Sequence, residues 1–242
     1  CGADSFSFAI LSPLPGTPIY REVLKKNLWW NKKGNFRILH RINPIRVKYI
    51  LKIFNKSLRK KNVLDIGCGG GLISEALADN KANVIGIDEN NQNLKEAKVH
   101  AKISKLKVNY VHSSFNNFYK KNKIKFDLII CLEFIEHVEN FEETLKKITE
   151  LIKPNGMLIL STINRNLKSL IFAKIFAEYV LNWIPIGTHE FKNFLKPSEI
   201  ISVLKRNKLK IRNIKGLEFN PISNKWLLTD NTNINYFIVG KK

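Results

Sequence analysis

The stretch V-L-D-I-G-C-G-G-G-L at Val63–Leu72, followed by V-I-G-I-D at Val84–Asp88, decides the fold. Val63, Leu64 and Ile66 read as a buried parallel strand. Gly67, Gly69, Gly70 and Gly71 come directly after it, and L-I-S-E-A-L-A from Leu72 carries apolar residues at helical spacing. Residues without side chains let a ligand lie against the backbone of a strand-to-helix turn. A second strand, Asn83–Ile87, ends in Asp88. In a right-handed βαβ unit that carboxylate stands at the adjacent strand end and faces the same crevice.

Two ligands compete for such a turn. A nicotinamide or flavin fingerprint wants G-x-G-x-x-G/A, but the sixth position from Gly67 is Leu72. Asp65, two residues before Gly67, repels a pyrophosphate and suits a ligand with a cationic end. S-adenosylmethionine carries an ammonium, a sulfonium and a ribose diol. Asp65 and the backbone of Gly67 and Gly69 are candidates for its methionine end, and Asp88 for both ribose hydroxyls. The methyl-donor reading is therefore preferred over a nucleotide dehydrogenase or a decayed fold.

With 242 residues the chain can bury a good core, most simply as one domain with elaborations. Hydrophobic residues at 44% and charged residues at 25% are those of a globular protein. The net charge is +21, from 41 Lys and Arg against 20 Asp and Glu. That excess suits an anionic membrane surface, an anionic substrate or nucleic acid. It also suits simple compositional drift, because Lys, Asn and Ile are abundant together. The lysines are scattered and no RNA-binding signature is present, so nucleic acid is not expected. Cys1, Cys68 and Cys131 show no metal spacing and no paired framework. Cys68 and Cys131 read as small buried fillers in a reducing compartment. The sequence has no secretory signal and no apolar run of about 18 residues, so no membrane span is expected. The chain does not begin with Met, which suits a fragment, a processed form or a recombinant one.

Residues 1–26 look foreign to the rest of the chain. F-S-F-A-I-L-S-P-L-P-G-T-P-I-Y resembles a short strand–turn–helix of some radical-S-adenosylmethionine enzymes, but no Cys-x3-Cys-x2-Cys accompanies it. A fusion remnant or replaced N-terminus is the better reading. Residues 27–242 form the main domain. Trp29 and Trp30 are adjacent and cannot share a helix face, and one is a candidate cover for the cleft. Asn43-Pro44 signals a helix start, with Ile45, Tyr49 and Phe54 as apolar contacts. Arg46 in its first turn is either a cation reaching into the crevice or a solvated side chain.

The core then alternates strand and helix. A helix spans Gln92–Ser104, a strand Val108–Val111 with Ser113 and Ser114 at its end, and an almost wholly apolar strand Phe126–Cys131. A helix at Phe141–Ile152, a turn at Lys153–Gly156 and a strand at Met157–Thr162 come next. Pro197–Lys205 is a helix, and Leu209–Ile214 and Tyr236–Val239 close the sheet. The order predicts a doubly wound α/β sheet, Rossmann-like, seven-stranded and mostly parallel.

L-E-F-I-E-H-V at Leu132–Val138 lies after the fourth strand, at the edge where such sheets bind ligands. On a helical turn Glu133, Glu136 and His137 would share a face. Three readings stay open: an oxygen-and-imidazole site for Mg²⁺, His137 as a general base, or a brace for the loop. Leu167–Ile186 is an apolar insertion with sparse charge, amphipathic if helical. It suits a helix in a lipid interface or over a greasy substrate, or a plain core helix. His189, after a Gly187-Thr188 turn, is a further candidate.

The motifs together resemble the ubiquinone-biosynthesis O-methyltransferases, a class I methyltransferase family. The resemblance rests on W-W-N-K-K-G-N-F-R-I-L-H-R-I-N-P-I-R at Trp29–Arg46 and V-L-D-I-G-C-G-G-G-L-I-S-E at Val63–Glu75. It continues with E-F-I-E-H-V at Glu133–Val138, S-T-I-N-R-N-L-K-S at Ser161–Ser169, P-I-G-T-H-E ending at Glu190, K-P-S-E at Lys196–Glu199 and G-L-E-F-N-P-I at Gly216–Ile222. It implies methyl transfer from S-adenosylmethionine to ring hydroxyls of polyprenyl phenol intermediates, at both O-methylation steps. A class I methyltransferase for another lipophilic small molecule is the alternative. It implies a donor site including Arg46, Gly67, Asp88 and Leu132, and a divalent ion at Glu133, Glu136 and His137, with Glu136 and His137 the catalytic pair. It further implies a membrane-facing role for Leu167–Ile186, partners among other proteins of the pathway, and a cytoplasmic enzyme held peripherally at the inner membrane. The rivals are a scaffold with a dead fold, which intact Asp65, Gly67 and Asp88 count against, and a methyltransferase for RNA or protein-bound substrates.

Overall fold

Buried apolar runs pair into one sheet. The computed structural model describes residues 37–54, 57–170, 193–220 and 225–242. Strands β1 (Asn62–Ile66), β2 (Asn83–Asp88), β3 (Val108–His112), β4 (Phe126–Leu132) and β5 (Ile152–Ile163) run parallel. Three later strands, β6 (Lys210–Asn220), β7 (Lys225–Thr229) and β8 (Asn235–Lys241), extend the sheet through antiparallel pairs. The spatial order is β3-β2-β1-β4-β5-β8-β6-β7. The chain winds outward from β1 first to one side and then to the other, which opens a crevice beyond the carboxyl ends of β1 and β4.

Helices cover both faces. Alternate residues of the central strands point to opposite layers, and both layers are apolar. On one side Leu64, Ile129 and Cys131 meet Leu145 and Ile148 of α5 (Phe141–Glu150), together with Ile200 and Val203 of α7 (Pro197–Arg206). On the other, Val63, Leu128 and Ile130 meet Ile42, Tyr49 and Ile50 of α1 (Arg37–Ile53) and Ile73 and Leu77 of α2 (Leu72–Asp79). Leu94, Ala97 and Ala101 of α3 (Asn91–Ile103) pack with Tyr110 of β3. Helix starts are fixed locally: the Asn90 side chain accepts from the amides of Gln92 and Asn93, and Asn140 from that of Glu143.

Several expectations need adjustment. Among the described residues the sheet has eight strands rather than seven, because the half-exposed edge strand β7 adds to β6. A short helix, α4 (Phe115–Lys121), comes after β3, started by Ser114, whose hydroxyl accepts from the Asn117 amide. Pro44 lies inside α1, not at its start. Burial of Ile42 before it and of Tyr49 and Ile50 after it holds the helix on the sheet through a residue that lacks an amide donor. β5 already begins at Ile152, and the expected turn survives as a bulge. Pairing jumps from Phe126 opposite Ile152 to Leu128 opposite Met157. The insertion begins with the four-residue α6 (Leu167–Leu170) after β5. The rest of it, His189, Trp29, Trp30 and residues 1–26 lie outside the described residues. Cys68 and Cys131 are both buried free thiols, as expected of fillers.

Candidate active site

The glycine turn folds over β2. The amides of Gly67 and Cys68 both donate to the Ile87 carbonyl, at 2.9 and 3.0 Å. Gly69 takes φ +51° and Gly71 φ +81°, in the left-handed region that glycine enters at least cost. At Gly71 a Cβ would also lie 2.1 Å from the Tyr110 hydroxyl, so the turn seats directly on β3. Above it the situation is the reverse: a Cβ on Gly69 or Gly70 would meet nothing within 4 Å. The turn therefore presents bare backbone to open space at the carboxyl edge.

Asp88, at the end of β2, is locked in that setting. Its Oδ2 accepts from the Gly69 amide and its Oδ1 from the Asn90 amide, each at 2.8 Å. Each oxygen keeps a further lone pair for a ligand. Asp65 sits beneath the turn rather than in the open crevice, at 3% exposure. Its Oδ2 accepts from the Ser74 hydroxyl at 2.6 Å. Burial pushes its pKa up to about 7, the charge of Asp88 adds to this, and the Ser74 hydrogen bond opposes it.

The loop after β4 departs from a helical turn. Glu133 takes φ +51°, and the short 3-10 turn begins only at Ile135. Glu133, Glu136 and His137 thus lose the common face that helical spacing implied. Glu133 Oε1 instead gathers three donors: Arg46 Nη2 at 2.9 Å, Ser161 Oγ at 2.8 Å and Asn235 Nδ2 at 3.0 Å. Its backbone amide donates to the Ser161 carbonyl. Glu136 is buried and accepts from the Thr162 hydroxyl at 2.9 Å. Burial, and then the charge of Glu133, hold its pKa well above the carboxylate range. His137 reaches solvent, yet the protein around it keeps its pKa below the usual imidazole value against the opposing charge of Glu133. Among the described residues no three His, Cys, Asp or Glu side chains come together as a metal site. The expected Mg²⁺ site at Glu133, Glu136 and His137 therefore does not fit this geometry. Leu132, half-buried, closes β4 beside this loop.

Ser161, Thr162, Asn235 and Ser74 escaped residue-by-residue reading. Ser161 and Thr162 carried one signal, two hydroxyls at the carboxyl end of an apolar strand. Asn235 carried none, since it reaches Glu133 across 102 positions of sequence.

Bare backbone next to a fixed acidic strand end suits a methyl donor as ligand. A methyltransferase-domain family model matches residues 38–214. The ubiquinone biosynthesis O-methyltransferase of Rickettsia typhi is 44% identical over 218 residues, 88% of each chain. That of Pelagibacter ubique is 42% identical over 217 residues, 86% of this chain and 90% of the relative. The chain belongs to the ubiquinone biosynthesis O-methyltransferase family. It is an S-adenosylmethionine-dependent methyltransferase. Its fold is that of magnesium protoporphyrin IX methyltransferase from Synechocystis, solved with bound SAH, at TM-score 0.64 and 17% identity over 93% of this chain and 95% of that one. The donor fits the methyltransferase as folded, because Gly69 and Gly70 leave the space that a ligand lying on their backbone needs.

Proposed function

We propose that the chain moves a methyl group from S-adenosylmethionine to a ring hydroxyl of a polyprenyl phenol in ubiquinone biosynthesis. The observation that carries the donor side is the fixed Asp88 carboxylate beside the uncovered backbone of Gly69 and Gly70. When bound, the donor supplies an electrophilic methyl on a sulfonium. Asp88 would accept from the ribose hydroxyls with the lone pairs its two amide partners leave. Asp65, buried under the turn with its pKa raised to about 7, would be favoured in its ionised form by the donor's cationic methionine end. Arg46, held on Glu133, supplies a cation for the methionine carboxylate. Leu132 lines the same strand end.

A phenol with pKa near 10 is a weak nucleophile at neutral pH, at about 0.1% phenolate by the reference value. His137 is the base we assign. It is exposed at the carboxyl edge, and its lowered pKa leaves a free lone pair at pH 7. Glu136, buried and biased toward its protonated form, positions the loop through Thr162 and is no second base. No step is routed through a metal: Glu133 Oε1 serves Arg46, Ser161 and Asn235, and among the described residues no three ligating side chains come together.

The acceptor and the location rest on the family. No helix among the described residues is long and apolar enough to cross a membrane. The +21 charge favours peripheral contact with the anionic cytoplasmic face of the inner membrane, where a polyprenyl substrate resides. Product mass after incubation with donor and a prenylated catechol tests the reading. A gain of one methyl is expected. No gain there, with methylation of another lipophilic hydroxyl compound, overturns the acceptor assignment.

A further inference from the structure

Four lysines share an unusual backbone conformation at one edge of the sheet. Lys60, Lys81, Lys105 and Lys208 all have positive φ, between +56° and +66°. Three of them end helices in the same way. The Lys81 amide donates to the Ala78 carbonyl and the Ala82 amide to Leu77; Lys105 and Leu106 repeat this on Lys102 and Ala101, and Lys208 and Leu209 on Lys205 and Leu204. These are Schellman ends of α2, α3 and α7, and the left-handed seat in such an end is usually glycine. Lys60 occupies the turn before β1, and its amide donates to the Lys81 carbonyl at 3.0 Å.

The topology puts these seats on one rim, with Lys60, Lys81 and Lys105 before three neighbouring strands and Lys208 farther along it before β6. β1 to β5 all begin at the amino edge, β6 begins there, and β8 runs back to end there. The turns into β1, β2, β3 and β6 therefore deliver these four lysines to the same rim, where Lys60, Lys81, Lys105 and Lys208 are exposed. Lys107 lines a depression of about 600 Å³ in the rim, between Asn62, Asn83 and the apolar Ile124. Lys242 lies close enough to Lys125 for their like charges to act on each other. Asp127, the carboxylate in β4 at this edge, is already held by Lys61 and Lys153.

We propose that the amino-edge rim is a docking surface for an acidic protein segment that seats one apolar side chain in the depression beside Ile124. The choice of a protein over a membrane rests on the acceptor reading above. A polyprenyl substrate enters at the carboxyl edge, so that edge faces the bilayer and the rim, one strand length away, faces the opposite side. A second copy of the chain is repelled by its own +21 charge. Single-stranded RNA wants exposed aromatic platforms, and the large apolar side chains exposed among the described residues are aliphatic.

The test replaces K60G, K81G, K105G and K208G together, which removes four charges while giving each left-handed seat the residue it prefers. The control removes four exposed lysines elsewhere: K95Q, K98Q, K120Q and K146Q. The probe is a fluorescent poly-glutamate peptide carrying one leucine, read by anisotropy. The rim variant should bind it roughly ten-fold more weakly, and the control within about three-fold of wild type. The rim variant's Tm should not fall, and its turnover on a short soluble catechol should persist. Equal losses in both variants would show a diffuse charge effect and overturn the proposal. So would anionic vesicles or duplex RNA outcompeting the peptide at the rim. Rim-specific peptide binding with no methylation of a prenylated catechol would sink the acceptor reading and leave the surface standing.

Discussion

Replacing Glu133 separates a scaffold from a metal ligand. In the structure its Oε1 is the common acceptor for Arg46, Ser161 and Asn235. The Arg46 side chain is 10% exposed and that of Glu133 is 26% exposed. Arg46 Nε already lacks a partner among the described residues. Glu133→Ala leaves a nearly buried guanidinium uncompensated and two neutral donors to find water. Breaking a buried pair costs about 3–5 kcal/mol. Solvent access at Glu133 lowers this to about 3 kcal/mol, or roughly 6–12 °C in Tm for a domain of this size. Glu133→Gln keeps an acceptor and loses the charge, for about 1–2 kcal/mol. Glu133→Gly relieves the left-handed backbone and should be about 1 kcal/mol more stable than the alanine variant. Urea unfolding gives the order wild type, Gln, Gly, Ala if these magnitudes hold, and calorimetry with the donor should show weaker binding in step with the loss of Arg46 positioning. An alanine variant as stable as wild type, with lost turnover restored by excess Mg²⁺, would refute the reasoning and reinstate the metal.

The other tests are simpler. Asp65 has a folded pKa of about 7 against an ordinary value of 3.8, so the folded state binds its proton more tightly than the unfolded state. That group destabilises the free enzyme as pH rises from about 4 to 7; Asp65→Asn should gain up to about 4 kcal/mol at pH 8 and nothing below pH 4 in urea titrations, and an unchanged difference across pH would contradict it. Asp88→Asn should weaken donor binding by about 1.5–3 kcal/mol in calorimetry, because an amide nitrogen faces either the ribose or a backbone amide; wild-type affinity would remove Asp88 from the donor site. His137→Gln should lower kcat by about 10²–10⁴ at pH 7 and less at high pH, where the phenol ionises unaided, whereas a uniform loss across pH would point to a structural role. Turnover of the wild type should persist in excess chelator.

The parallel half of the fold was legible because its strands are short apolar runs between strong punctuation: glycines after Ile66, Asp88 after Ile87, Asn140 before α5. Where tertiary burial overrides a local signal, reading failed. Pro44 looks like a start and is interior, because Tyr49 and Ile50 pull the helix onto the sheet. β7 lacks a buried face strong enough to announce itself. Of the candidate site, Asp65, Gly67, Gly69 and Asp88 stand out as local pattern, and the structure gathers them around one turn. The spacing of Glu133, Glu136 and His137 misled, because it presumes a regular turn and φ at Glu133 is positive. Ser161 and Asn235 meet Glu133 only through the sheet, and no local window holds that information.

The placement of β8 between β5 and β6 bears on how the chain is made. β6 and β7 leave the ribosome before β8, yet their place in the sheet exists only once β8 has added to β5. During synthesis the parallel half can assemble while this hairpin waits with an unpaired edge, the situation in which a nascent chain is most open to wrong pairing. Asn235, the third donor to Glu133, arrives on that same strand. The Glu133 hub of the candidate site and the sheet are thus completed by one late event, and a growing chain halted before β8 carries the glycine turn without the finished sheet around it.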